Sequence, residues 1–233
     1  MALLLRKSNI DESDNNVFWV TMSDLLLGLA IIFMTLFVLA ITGFTQETVS
    51  QKQQQMEVNK ELIEKLKEAN IDAQVDTLTG DIKISDLELF ETGSYNLSKN
   101  GKIYLDKLMP IYINTIFSKD DVINQIENIV VQGHTDSQSY AGIKNPDVQY
   151  MKNMSLSLQR ANAVAEYIFQ TAYNRQYGDK LKKILVVEGK SYSEPVLVNG
   201  KEDYNKSRRV ELRLKTKKFD IIDVFTKEEI YDR

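Results

Sequence analysis

Asp24 is the only charged residue in the apolar run FWVTMSDLLLGLAIIFMTLFVLAITGF between Phe18 and Phe44. Holding an ionised Asp at the centre of a membrane span costs roughly 2.5 to 3.5 kcal/mol on insertion scales, so such a carboxylate faces a partner, a cavity or an ion path rather than lipid. A group of this kind that binds and releases a cation can couple ion flow to movement. Taken at alternating steps of three and four residues, the helix face that carries Asp24 also carries Thr21, Gly28, Ile31, Thr35, Val38 and Thr42. Every threonine of the run therefore lies on the line of the carboxylate. Thr21, Ser23 and Thr35 are the expected ion-path neighbours, inside a surround of Leu25, Leu29, Phe33, Leu36 and Phe37. Small and hydroxyl-bearing faces let helices approach closely, so this stripe is the one expected to meet protein.

Side chains suited to covalent or metal chemistry are scarce elsewhere. The chain has no cysteine and one histidine, His134. Thiol catalysis, disulfide frameworks and zinc ribbons are excluded together, and one imidazole without a second His or Cys makes no metal site. No catalytic residue, metal or cofactor is assigned. A net charge of -4, with basic and acidic residues interspersed, gives no footprint for nucleic acid.

The element that must position Asp24 is a membrane helix. Roughly 20 apolar residues at about 1.5 Å each cover the ~30 Å hydrocarbon core, and the run over 18–44 is long enough. Counted from Phe18, Asp24 lies about 9 Å into the span, too deep for a short carboxylate to reach water easily. Arg6 and Lys7 precede the run, which is too long for a cleaved signal peptide and reads as an uncleaved signal anchor. Lys52 and Lys60 follow it at comparable distances, so charge alone leaves the orientation open. The first 17 residues form the terminus before the span.

Residues 45–71 contain good helix formers and no Gly or Pro, and Val49, Met56 and Ile63 recur every seven residues, with Leu62, Leu66 and Ala69 thickening the stripe at its end. This helical linker is either a short dimeric stalk continuing the span or a single solvated helix. Periodicity changes from about Ala73. Val75, Ile82 and Ile84 flank Thr79-Gly80-Asp81 as a hairpin. A helix is expected from near Ser98, with Ile103, Leu105, Leu108, Ile111 and Ile116 as its apolar residues, followed by the buried strand ENIVVQGHTD. SLSLQRANAVAEYIFQTAY gives a second helix with Leu158, Ala161, Val164, Ala165 and Ile168 on one face. Two strands, KILVVEGK and RRVELRL, complete the domain. The order is that of an α+β sandwich over 72–216, with helices on one sheet face and a C-terminal tail over 217–233.

The stretch Phe18, Trp19, Ser23, Asp24, Leu25 and Leu26 ahead of an apolar helix resembles the single span of the MotB, TolR and ExbD class. That resemblance makes Asp24 the ion-binding residue for transported H+ or Na+. It also implies two copies of the chain, a self dimer, inside a ring of five multi-span MotA-like subunits. Gly133-His134-Thr135-Asp136, Asn153-x-x-Leu156-Ser157-x-x-Arg160-Ala161, Gly189 with Pro195, and Arg208-Arg209-Val210-Glu211 resemble the OmpA-like peptidoglycan-binding domain shared by OmpA, Pal and MotB. The implied fold is one transmembrane helix, a short helical linker and an OmpA-like α/β sandwich domain. The implied topology is a cytoplasmic N-terminus and a periplasmic domain of a bacterial inner-membrane protein.

Peptidoglycan stem peptides carry an ammonium and a carboxylate on their diamino acid, which call for an anion beside a planar cationic fork. By carry-over from the family, Asp136 takes the ammonium and Arg160 the carboxylate, with Asn153, Leu156 and Arg208 lining or buttressing the pocket; a direct Asp136–Arg160 pair is the alternative. Three departures stand out: a long segment between Asp136 and Asn153, Ser207 where the family has Asn, and a short spacer. The spacer looks closer to ZorB, the MotB-like subunit of Zorya anti-phage defence with a ZorA ring partner, than to flagellar MotB. Wall-anchored stator, flagellar stator and Pal-like tether without transport are the competing functions.

Overall fold

The computed structural model describes residues 2–71, 73–91 and 93–217, so the expected tail lies outside the described residues apart from position 217. The chain divides into two compact units, Met1–Lys52 and Gln53–Arg233. In the first, helix α1 (Ala2–Glu68) contains Val17–Gly43, with a mean hydropathy of 2.8 and, among the described residues, the one helix long and apolar enough to cross a membrane.

The second unit opens with the last turns of α1, where the end of the expected stripe, Leu62 and Leu66, faces the domain core together with Val58. Val58, Leu62 and Leu66 are buried in the core, Met56 and Ile63 are half-buried, and Val49 is exposed. Steps of four residues, not seven, hold this segment to the domain. Its polar neighbours fasten it as well: Asn59 Nδ2 donates to the Thr77 carbonyl at 3.2 Å, and Glu61 lies 3.6 Å from Lys119. Residues 53–68 of the expected linker therefore belong to the same compact unit as the domain, held by the burial of Val58, Leu62 and Leu66 in its core.

The strands are β1 (Gln74–Val75), β2 (Ile82–Ser85), β3 (Ile126–His134), β4 (Leu185–Gly189), the hairpin pair β5 (Leu197–Val198) and β6 (Lys201–Glu202), and β7 (Arg209–Thr216). The main sheet runs β1-β2-β7-β3-β4, antiparallel throughout except for the parallel pair β3 and β4. The expected hairpin turn at Thr79-Gly80-Asp81 is present, with Gly80 at φ +77. Between strands lie α2 (Asp86–Leu89), α3 (Lys99–Phe117), α4 (Asp120–Gln125), α5 (Pro146–Ile168), α6 (Gly178–Ile184) and α7 (Tyr204–Ser207). Ser98 caps α3 by accepting the Gly101 N–H at 2.9 Å.

One sheet face, carrying Ile82, Ile84, Ile129, Val131, Val210 and Leu212, shares its core with Leu105, Leu108, Tyr112, Ile113 and Ile116 of α3 and Ala161, Val164 and Ile168 of α5. Two expected core residues are exposed, Ile103 and Leu158. Ser157, one step from Leu158, is the buried residue instead, because α5 meets the sheet through small side chains. α5 also begins earlier than expected. Asn145 accepts the N–H groups of Asp147 and Val148 at 2.9 and 3.4 Å, Pro146 takes the first helical position and Asp147 the first turn. Cap, proline and first-turn carboxylate together convert the second half of the long segment after Asp136 into helix.

Candidate functional site

β3 and β4 end side by side, with Gly133 paired to Gly189. α5 crosses both ends at contact distance. A Cβ on Gly133 would overlap the Ser157 carbonyl oxygen, and one on Gly189 would lie 2.9 Å from Ser157 Oγ. That hydroxyl donates to the Met154 carbonyl at 2.9 Å and accepts the Ser191 N–H at 3.0 Å. The fastening holds the end of β3, from which Asp136 emerges, to the part of α5 that carries Asn153, Leu156 and Arg160.

Asp136 and Arg160 enter one cluster but are not each other's partner. Asp136 is paired through Oδ2 with the Arg208 guanidinium, while its Oδ1 accepts the Gln138 N–H at 3.1 Å. Arg160, only 3% exposed, has Nη1 3.0 Å from Asp86 Oδ1, and its Nε donates to the Ser94 carbonyl at 3.0 Å. The guanidinium carbon stands 5.3 Å from the centre of the Phe90 ring. Asn153 is buried and donates to the Gln149 carbonyl at 3.3 Å, so it buttresses α5, and Leu156 is half-buried beside it.

Asp86 is the site residue that sequence reasoning missed. It opens α2, is almost fully buried, and its N–H donates to the Arg208 carbonyl at 3.1 Å. Oδ1 lies off the N–H axis of Arg160, so the contact is one of charge rather than an aligned hydrogen bond. Burial raises the Asp86 carboxyl above its ordinary range, the Asp136 charge adds to this, and Arg160 and Arg208 oppose it. Burial likewise lowers Arg160 from its usual value against the pull of Asp86. Both partners are pushed toward neutrality, as expected of an ion pair whose desolvation is costly. The only signal in the sequence was an acidic residue closing a short apolar strand, too common a pattern to stand out.

The segment after Asp136 folds over the cluster. Gln149 accepts the Tyr140 N–H at 3.2 Å and donates to the Gln138 carbonyl at 2.8 Å, while the Ser137 N–H reaches Glu202 of β6 at 3.3 Å. Tyr140 is half-buried within the electrostatic reach of Arg160 and Asp136, and burial raises its phenol. Ser207, fully buried, accepts the Val196 N–H at 3.0 Å and so holds the loop that leads to Arg208.

His134 lies outside this chemistry. Neither ring nitrogen has a hydrogen-bond partner, and Nε2 is 4.0 Å from Glu211. Burial, with the Arg209 charge, lowers it to about 4, so the ring is neutral at physiological pH. No cluster of metal-ligating residues occurs among the described residues.

In the membrane span, Asp24 is exposed on the isolated helix, as is every described side chain around it. Thr21 donates to the Val17 and Phe18 carbonyls at 3.0 Å each, Ser23 to Trp19 at 2.8 Å, Thr35 to Ile32 at 2.8 Å, and Thr42 to Val38. The hydroxyls of the stripe are thus bonded to their own helix backbone.

Comparison with known proteins agrees with this architecture. The OmpA family profile matches residues 89–209. The Zorya protein ZorB of Escherichia coli strain Crooks is 30% identical over 227 residues, covering 93% of this chain and 95% of the relative. A second ZorB, from Escherichia coli O139:H28, is 24% identical over 226 residues, covering 91% of this chain and 85% of the relative. Among solved structures, a MotB-like protein from Desulfovibrio vulgaris superposes with a TM-score of 0.52 at 18% identity, over 74% of this chain and 97% of that one; the likeness is one of fold.

Proposed function

The chain belongs to the OmpA family and, over nearly its whole length, to the family of the Zorya protein ZorB, and from that premise we propose that it is the wall-anchored stator subunit of an ion-driven rotary complex in anti-phage defence. Its N-terminus is cytoplasmic, α1 crosses the inner membrane once, and the OmpA-like domain grips peptidoglycan in the periplasm. Two copies stand inside a ring of multi-span ZorA- or MotA-like subunits, five by family analogy. Asp24 takes up and releases the transported ion, H+ or Na+, while the wall supplies the reaction torque.

The observation that carries the reading is that one chain holds a lone carboxylate in its span and a charge-balanced, partly buried cluster in its folded domain. Asp86, Asp136, Arg160 and Arg208 sum to zero charge, so a zwitterionic ammonium and carboxylate can exchange into the cluster without leaving a net charge behind. Asp136 offers the anion and Arg160 the planar cation, with Asn153 and Leu156 supporting the helix that presents it. A ring of different symmetry around two Asp24 sites gives them unequal surroundings, so that ion binding alternates between them. The ZorB relatives match across the spacer as well as the domain, which favours this form over flagellar MotB.

Sedimentation with purified peptidoglycan tests the wall reading. Asp136→Ala should lower the bound fraction about ten-fold or more, since the ligand ammonium loses its counter-charge, while thermal unfolding moves little because Arg208 is partly exposed. Wild-type retention in that variant overturns the assignment. Imaging of the chain co-expressed with its ring partner tests the stator reading: one copy per ring, or a stable assembly without a multi-span partner, defeats it.

A further inference from the structure

We propose that Asp86 is a positioning and specificity-determining residue of the wall-binding site: it holds Arg160 in place, ties it to Arg208, and sets the charge of the cluster so that a zwitterionic group is taken in preference to a simple anion. The inference rests on the wall-binding reading and adds a residue that lies outside the motifs of the sequence.

The geometry carries it. Asp86 touches both arginines, Arg160 through its carboxylate at 3.0 Å and Arg208 through its N–H at 3.1 Å. Arg160 is otherwise fixed by the Ser94 carbonyl at Nε and by the Phe90 ring, neither of which carries a counter-charge. Asp86 is thus the group that neutralises a buried guanidinium, and without it the cluster holds Asp136 against two cations. A site of net positive charge attracts any carboxylate, whereas a neutral one rewards a ligand that brings both signs at the right spacing. The charged and titratable groups facing Asp86 are Arg160 of α5, Arg208 ahead of β7, and Asp136 beyond β3. Two of these are the residues expected to meet the ligand. A carboxylate retained at a desolvation cost beside them is spent on orientation and selectivity rather than on stability.

Equilibrium binding of meso-diaminopimelate and of pimelate, which lacks both ammonium groups, to the full chain in detergent tests this. Wild type should prefer diaminopimelate by about ten-fold or more, and Asp86→Asn should weaken it by a similar factor while narrowing the preference to about three-fold or less. If the variant fails to fold, the wild type alone decides: the preference should narrow on acidification in step with the carboxyl carbon signal of Asp86. An unchanged preference in a folded Asp86→Asn, or a narrowing out of step with that signal, overturns the inference. Wild type that fails to retain peptidoglycan removes the wall reading and this inference with it; wild type that retains it beside an indifferent Asp86→Asn removes the inference alone.

Discussion

Gly133 lies against the backbone of Ser157 with no room between them for a methyl group. The contact explains why glycine precedes His134 at the end of β3, and it sets the distance between the strand that delivers Asp136 and the helix that delivers Arg160. Gly133→Ala should destabilise the domain by about 3 kcal/mol or more, since backbone rather than a flexible side chain must move. A Cβ on Gly189 would meet Ser157 Oγ at 2.9 Å and the Leu158 Cβ and backbone nitrogen at 3.0 Å each, a milder overlap than the one at Gly133, so Gly189→Ala should cost less. Urea unfolding of the two variants measures the difference, and equal costs would show that α5 does not bear on β3 in this way.

The last turns of α1 should behave as part of the domain. Leu62→Ala removes a fully buried side chain and should cost about 2 to 5 kcal/mol. Val49→Ala, on an exposed residue, should leave the unfolding midpoint within error. A coiled-coil seam through Val49, Met56 and Ile63 would give the opposite ranking.

The pH dependence of stability contains a histidine term of known sign. Burial and the Arg209 charge hold His134 near 4 in the fold against an ordinary 6.5, so between these values the unfolded chain binds the extra proton. Stability from this group is present above 6.5 and lost as pH falls toward 4, on the order of 3 kcal/mol in all. Asp86 works in the other sense, because its raised titration favours the folded form in acid. The informative comparison is therefore wild type against His134→Gln, whose denaturation midpoint should fall less steeply between pH 6.5 and 4. Parallel profiles would show that His134 is charged in the fold.

Asp24→Asn keeps size and hydrogen bonding while removing the titratable charge. Membrane insertion and recovery of the ring partner in pull-downs should persist, and phage protection should disappear. Full protection by the variant would end the ion-carrier role.

Periodicity and turn chemistry were enough to read the hairpin, the helix start near Ser98 and the succession of helix and strand, because each is decided by neighbours in the chain. The placement of β7 between β2 and β3 depends on pairing over long separations, which no local pattern encodes. The heptad at Val49, Met56 and Ile63 left a stalk and a single helix both open, and the burial of Val58, Leu62 and Leu66 depends on the rest of the domain, which no local period encodes. Asp136, Arg160 and Arg208 were legible from spaced motifs, and the structure brings them into one cluster. Their pairing was not, since Asp86 lies outside those motifs and reaches Arg160 only through the fold.

The threonine stripe of the span has one further consequence. A hydroxyl whose hydrogen is committed to a carbonyl of its own helix turns only lone pairs outward, and Thr21, Thr35 and Thr42 of the stripe are in that state, as is Ser23 off its line. Such a surface accepts hydrogen bonds and donates none. A neighbouring side chain that bonds to one of these hydroxyls therefore has to bring the hydrogen itself.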